Sequence, residues 1–420
     1  MLSLLLVGAV PVLTATAAEA DRTTDPSMES GPGAVTAYTI DATGPSQLVA
    51  YGPDGERIYR ERTFDIYHDV DPSSEGARTV TYVASEGVDP SRCAAEECIR
   101  NVVRRVNLTT GESERLYSVV SPRVGSSQIH DVDRVNESVL LVADIRTGRD
   151  GVYMVNTTTD EVIWEWRVRE AYAKESGGKY PGDWSHLNDV EYLDDGRVMA
   201  SLRNMDEVVF IEPGEGMLHN WTLGEDDNRS ILYEQHNPDY IPRERGGPAV
   251  VVADSENNRI VEYQRENGTW TRTWRWRDAR LRWPRDADRL PNGNTVLVDS
   301  HGNRIFAVNE TGSVVWRADV PDGVYDAEVL PTGDESTGGE SAARLDYADR
   351  RVTLADGPAS WLTVRVTSLV PSVILNGALF ALPGWVSAAE AVGMLFQLLV
   401  VVGWAAVEAA LVWTGRKKGD

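Results

Sequence analysis

The chain has 420 residues with 65 acidic against 41 basic side chains, a net charge of −24, which leaves room for two or three ordinary domains or one large all-β domain with attachments. That charge argues against nucleic acid as a partner, because phosphate binding needs stripes of Lys and Arg. The basic residues are almost all arginine, with lysine only at Lys174, Lys179, Lys417 and Lys418; an acidic, lysine-poor surface suits a protein that stays hydrated in high salt and predicts a halophilic source.

Residues 1–22, "MLSLLLVGAVPVLTATAAEA" and its flank, read as a signal peptide or an N-terminal membrane anchor, an apolar core followed by small residues. The basic residues that usually open such a segment are missing, so the true start is expected further upstream. Sequons begin at Asn107, Asn136, Asn156, Asn220, Asn228, Asn267 and Asn309, more than chance supplies, and predict a glycosylated, exported protein. Cys93 and Cys98, in "SRCAAEECIR", have neither a second pair nor a neighbouring histidine, so a local disulfide is expected rather than a zinc site.

Between about residues 36 and 331 one unit returns six times. Its openings are "YHDVD" at His68, "IHDVD" at His130, "SHLNDV" at His186, "QHNPDY" at His236, "WPRDAD" at Pro284 and "VYDAEV" at Tyr325. Second strands ("VLLVAD", "VMASLR", "AVVVAD", "TVLVDS"), third strands ("GVYMVN", "EVVFIE", "RIVEYQ", "RIFAVN") and tryptophan-bearing fourth strands follow. Short strands at this spacing predict an all-β fold, a six-bladed β-propeller with four-stranded blades over residues 36–331. The last unit has one strand of its own, and "SQLVAYGPDGERIYRER" near the start is expected to supply its outer strands and close the ring. The recurring acids Asp71, Asp133, Asp189, Asp239 and Asp288 read as turn residues at the strand starts.

Residues 332–360 are polar and rich in Gly and Ser, as in a linker. Residues 361–414 hold two apolar runs, Val366–Val386 and Val392–Trp413, each long enough for a transmembrane helix, and residues 415–420 form a basic tail. An exported propeller followed by two spans leaves that tail outside, against the positive-inside rule. The predicted location is the cell membrane, with the propeller extracellular.

The first strand of a propeller blade lies innermost, so His68, His130, His186 and His236 are expected at equivalent positions, converging on one end of the channel. Arg203, closing a second strand, and His301 should reach the same mouth, while His219 looks like an outer surface residue. A single histidine at a strand start is usually a turn or packing residue; four in a chain with six histidines point to a shared ligand site. An arginine in such a ring favours an anion over a cation, because its planar fork matches a tetrahedral oxyanion. No metal and no cofactor are expected, and no Gly-rich nucleotide loop is present. A neutral imidazole can act as a nucleophile, so the inferred chemistry is sulfuryl or phosphoryl transfer.

On "HLN…SLR" (His186, Asn188, Arg203), "QH" (Gln235–His236) and "HD" (His130–Asp131), the chain resembles the arylsulfotransferase family, the nucleotide-independent aryl-sulfate sulfotransferases built on six-bladed propellers, as a membrane-anchored member of haloarchaeal type. The resemblance implies that His236 is the nucleophile, that Arg203, His186 and His130 hold the sulfuryl oxygens, and that Asn188 lines the site. His68 and His301 are assigned to substrate binding. The implied partners are a small aryl sulfate and a phenolic or other hydroxyl acceptor, served through a sulfohistidine. The chain departs from the bacterial periplasmic pattern in lacking room for a separate N-terminal β-domain and in carrying Asn237–Pro238 after the histidine. "DSENNRIVEY" and "DSHGNRIFAV" also resemble NHL repeats, which leaves a non-catalytic propeller binding an anionic ligand, glycan or protein as the alternative. A metal-dependent propeller lactonase is a third reading.

Overall fold

The computed structural model describes residues 34–41, 46–123, 128–278, 280–320, 323–332, 338–350, 365, 367, 369–382 and 386–416. The expected N-terminal signal or anchor lies outside them. Six antiparallel sheets form a six-bladed propeller. Their first strands are Ile66–Pro72, Ile129–Asn136, Leu187–Tyr192, His236–Ile241, Pro284–Arg289 and Val324–Leu330, here defining blades 1 to 6. Each runs from the end that carries the histidines, the mouth, to the opposite end, and the next strand returns.

Ring closure follows the expected arrangement. Val324–Leu330 pairs with Val35–Ile40, Tyr38 opposite Ala327, and Gln47–Tyr51 and Arg57–Glu61 complete the sheet. Blade 6 thus joins the two ends of the repeat and leaves no open gap in the ring. Blade 3 departs from four regular strands: its outer position is shared by two short pieces, Gly216–Met217 and Leu223–Gly224, with exposed His219 in the helical turn between them. Apolar faces of adjacent sheets interdigitate, as where Leu141, Trp166 and Val168 of blade 2 meet Val190, Ala200 and Val209 of blade 3. Cys93 and Cys98 form a disulfide in the loop within blade 1.

The inner edge of every blade would leave backbone N–H groups unpaired and buried, at a cost comparable to a lost hydrogen bond. First-strand carboxylates remove that cost at all six blade interfaces. Asp326 Oδ2 accepts from Val70 N (2.8 Å), Asp69 from Val132 N (3.4 Å) and Asp131 from Val190 N (2.5 Å). Glu191 accepts from Tyr240 N (3.2 Å), Asp239 from Arg289 N (3.0 Å) and Asp286 from Ala327 N (3.3 Å). Asp133 adds a second bond to Tyr192 N at 2.6 Å. Of the acids expected to serve local turns, Asp133 and Asp239 instead latch one blade to the next.

Two expectations for the C-terminal region change. Residues 332–360 were expected to be a linker, yet Ala342 and Tyr347 are buried between blades 4 and 5 and the Ala342 N–H donates to the Glu262 carboxylate. The small and aromatic side chains within that polar stretch supply the packing. Among the described residues of the first apolar run, expected as a transmembrane helix, the continuous helix is α1, Ser372–Ala381. Ten residues rise about 15 Å, half a bilayer core, and Asn376 Nδ2 donates to Glu256 Oε2 of blade 4 at 3.0 Å. The second run forms α2, Ala388–Arg416, whose segment Ala388–Glu408 is long and apolar enough to cross a membrane. It is the one such helix among the described residues.

Burial is the main reason Asp69, Asp189 and Asp286 hold their protons well above the usual carboxylate range, reinforced by neighbouring carboxylates. Burial likewise raises Asp239 and Asp326 to about 7. A carboxyl raised on folding binds more protons folded than unfolded, so its stabilisation is full below the unfolded value and is lost as pH rises through the folded one. The buried histidines, lowered on folding, oppose this only below about pH 6.5, where the unfolded chain's histidines charge. Differential scanning calorimetry in constant high salt is therefore expected to show the unfolding temperature falling between pH 6.5 and 8.5; a flat or rising profile would contradict protonated latches.

Candidate active site

Strand register places a lower ring of six side chains at the mouth: His68, His130, Asn188, His236, Arg285 and Tyr325. His130, Asn188 and Arg285 each directly precede the pair that opens a regular ladder, as Asn188 precedes Asp189 opposite Ser201 and Arg285 precedes Asp286 opposite Val298. His68, His236 and Tyr325 lie at the corresponding irregular step, and their ladders resume at Val70, Asp239 and Ala327. His186 is not in this ring, contrary to the expected equivalence. It sits two residues upstream of Asn188, with φ 45°, and residues two upstream in blades 4 and 5 behave alike: Glu234 has φ 46° and Trp283 φ 50°. This left-handed backbone is unfavourable for side-chain-bearing residues and is held at functional sites by surrounding structure. His186, Glu234 and Trp283 form an upper tier, joined by Arg203 and His301 from the ends of second strands.

Five of the six histidines thus meet. The rings of His68 and His130 stack at 4.3 Å, and His130 meets His186 edge-on at 4.9 Å. Tyr325 stands edge-on to His68 at 5.1 Å and to His236 at 6.2 Å. Trp283 stacks on His301 at 4.6 Å and meets His236 edge-on at 6.0 Å.

Hydrogen bonds fix the orientation of these rings. Asp183 Oδ1 takes the Nδ1–H of His186 (2.6 Å), and His186 Nε2 then accepts from Arg203 at 3.0 Å. Arg203 is also held by Glu234 at 3.1 Å. His130 Nδ1 lies 3.1 Å from the Tyr325 hydroxyl, and His68 Nε2 lies 3.0 Å from Gln128 Oε1. His236 Nδ1 is 2.8 Å from Ser255 Oγ, whose own proton goes to the Ala253 carbonyl at 3.2 Å. A hydroxyl has one proton to give, so Nδ1–H donates to Ser255 and Nε2 keeps its lone pair. Asn188 Nδ2 donates to the Gln235 carbonyl at 2.9 Å and ties the rings of blades 3 and 4 together.

Burial is the main cause that lowers all five histidines, so the cluster is neutral. His236 is further depressed by Arg285 and Arg203, and His130 by His68 and His186. His186 is lowered by burial and Arg203 against the pull of Asp183. His68 is brought to about 4, burial outweighing Asp41 and Gln128, and His301 to about 3, burial and Arg285 outweighing Asp41.

Sequence reasoning missed Arg285, Tyr325 and Ser255. Arg285 is buried, pairs with Asp41 Oδ2 at 2.6 Å, and places its guanidinium 4.5 Å over Trp283 and 5.0 Å over Tyr325. Its signal was the fifth opening, "WPRDAD", where Arg285 stands at the His68 position. Among the described residues, His68 Nδ1, His130 Nε2, His301 Nε2, Arg203 Nε, Arg285 Nε, Asn188 Oδ1 and Trp283 Nε1 are buried without a hydrogen-bond partner. Buried polar groups of native proteins are ordinarily paired, so this concentration marks a ligand site rich in N–H groups. Among the described residues no group of three or more His, Cys, Asp or Glu is arranged to hold a metal ion.

Fold and site define a six-bladed propeller with a neutral histidine cluster and two arginines at its mouth. Residues 117–320, just under half the chain, match the family model Arylsulfotransferase (ASST). That stretch contains His130, His186, Asn188, Arg203, His236, Arg285 and His301, and it supports the arylsulfotransferase family for the propeller. No curated protein matches the chain. Similar solved structures include a protein of unknown function from Bacteroides caccae, 13% identical over 70% of this chain and 97% of that one with a TM-score of 0.49. The Pseudomonas aeruginosa periplasmic gluconolactonase is 12% identical over 71% of this chain and 99% of its own, with a TM-score of 0.46.

The imidazole signals of His68 and His301 are expected to keep neutral-form NMR shifts from pH 8 down to pH 5. Titration of either near the ordinary histidine value would show that the mouth does not exclude water as described.

Proposed function

We propose that the protein is a nucleotide-independent aryl-sulfate sulfotransferase that works through a sulfohistidine on His236. The observation that carries this reading is the Ala253–Ser255–His236 hydrogen-bond chain, which leaves a lone pair on Nε2 in a site bearing two arginines. Nε2 attacks the sulfur of an aryl sulfate, the N–S bond forms as the S–O(aryl) bond breaks, and the phenolate departs with the electron pair. A hydroxyl acceptor then attacks the same sulfur. The S–N bond breaks, the electron pair returns to Nε2, and the acceptor's proton ends on the released phenolate or in solvent. Splitting the transfer lets one anion site serve both displacements.

Arg203, Arg285 and His130 supply donors for charge developing on the sulfuryl oxygens. His186 was expected to touch those oxygens directly. With Nδ1–H given to Asp183 and Nε2 occupied by Arg203, it instead positions the Arg203 fork. Asn188 lines the site, and His68 and His301 bind substrate from either side of it. A single span in α2 followed by the basic residues 416–418 supports, by the positive-inside rule, an exported propeller. This removes the conflict that two spans would create.

Mixing the full chain with nitrophenyl sulfate is expected to give a burst of phenol and an adduct of about 80 Da on the intact protein. Both should vanish in His236→Ala. Arg203→Lys, which keeps the charge and loses the fork, is expected to slow the burst about 10²–10³-fold. A folded protein with no burst and no adduct would favour an anion-binding propeller instead.

A further inference from the structure

We infer that the mouth faces the membrane surface and that the sulfuryl acceptor is a hydroxyl on the head group of a membrane-embedded amphiphile; this rests on the transfer reaction proposed above. The argument begins with where α1 docks. Its hydrogen bond and ring contact with the propeller fall on mouth-side loops. Asn376 bonds Glu256, just past the second strand of blade 4, and Phe380 meets Trp283 edge-on at 5.6 Å. Just before α1, Thr367 Oγ1 takes a hydrogen bond from Arg282 at 3.2 Å. Trp283 in turn touches both His236 and His301. One aromatic ring therefore separates α1 from the nucleophile.

The membrane-length helix leaves from the same place. Val386, Ala391 and Val392, at the start of α2, pack on Leu375 and Leu379 of α1. While those residues and Asn376 are buried, Leu369, Val373, Ile374 and Phe380 are 68%, 46%, 52% and 56% exposed. A short helix with one docked face and an exposed apolar flank, continuous with a span, has the character of a segment lying in the bilayer interface. At about 1.5 Å per residue α1 is only about 15 Å long, so it cannot carry the mouth far from the lipid head groups.

The sequons agree independently. Asn136 ends a first strand, and Asn107, Asn156, Asn267 and Asn309 end or follow third strands, so these five lie in turns at the end opposite the mouth. Asn220 is on the outer edge of blade 3, and Asn228 is in the loop before the first strand of blade 4, on the mouth side. Glycans are bulky and hydrated, and the end that bears most of their acceptor sites is the one turned to solvent. A compact aryl sulfate reaches the mouth from water, whereas a lipid-borne hydroxyl is delivered by the surface on which the mouth sits.

The test uses the full chain in lipid vesicles, with nitrophenyl sulfate as donor and two acceptors, a short water-soluble alkylphenol and a long-chain alkylphenol held in the bilayer. Turnover with the bilayer-held acceptor is expected to exceed that with the short one at least tenfold at equal bulk concentration. The double variant Val373→Asp/Ile374→Asp should lose that advantage while keeping the donor burst. Equal turnover of the two acceptors, or an unchanged advantage in the double variant, overturns the inference while leaving the transferase reading intact. Absence of the burst overturns the transferase reading itself. Orientation is tested without catalysis by attaching a fluorophore at Glu225→Cys, on the mouth side, or at Glu137→Cys, at the opposite end. Head-group quencher lipids are expected to quench the first much more strongly, and equal or reversed quenching sinks the inference.

Discussion

The whole ring depends on one hydrogen bond repeated at every blade interface, from the backbone N–H of a first strand to a carboxylate of the preceding blade. A propeller sheet ends abruptly at the channel, where a buried edge has no neighbouring strand to pair with. The acids at Asp326, Asp69, Asp131, Glu191, Asp239 and Asp286 take the place of that missing strand. Their spacing sets the position of each first strand against the next. It thereby sets the position of the ring residue of the site, which lies one residue before the acid in four blades and three before it in the blades of Asn188 and His236. The chemistry at the mouth is registered by the same bonds that close the fold.

That coupling puts two layers of opposite character next to each other. Below lie carboxyls such as Asp69, Asp189 and Asp286, whose protons burial holds; above lie imidazoles held neutral by burial and by two arginines. Desolvation acts in both, raising acids and lowering bases, so neither layer imposes a large net charge on the other. The arginines keep their own carboxylate partners, Asp41 and Glu234. An arriving oxyanion therefore meets fixed, oriented donors at little reorganisation cost. Neutrality is also what the proposed role of His236 as nucleophile requires, since a protonated imidazole has no lone pair to give.

The C-terminal helices give this site a direction. A helix too short to span, docked by Asn376 and Phe380 beside Trp283, brings the start of α2 to the mouth rather than to the opposite end. An attachment on the other face would have pointed the same site into solvent. On the proposed reading, the membrane helix and the choice of acceptor become one property of the molecule.

The architecture was legible in the sequence because six openings and their strand pairs recur, and hydrophobic alternation is a local property. The shared strand at Tyr325 and the supply of outer strands from the N-terminal segment could be read for the same reason. Histidines at His68, His130 and His236 were legible as a ring, since each opens its unit at the same place and the first two precede an acid and a valine in the same order. What only the tertiary structure decided depends on neighbours in space. Asp133 and Asp239 looked like turn residues because their partners lie on another blade. His186 looked equivalent to the other histidines because a two-residue offset shows only once strand register assigns Asn188 to the ring. Arg285 and Ser255 belong to the site through contacts with Trp283, Tyr325 and His236, which no local pattern encodes. Hydropathy marked two apolar runs alike, for it measures transfer from water and not destination. One run docks on protein through a buried Asn–Glu bond and the other does not, and that choice is made by the surface each meets.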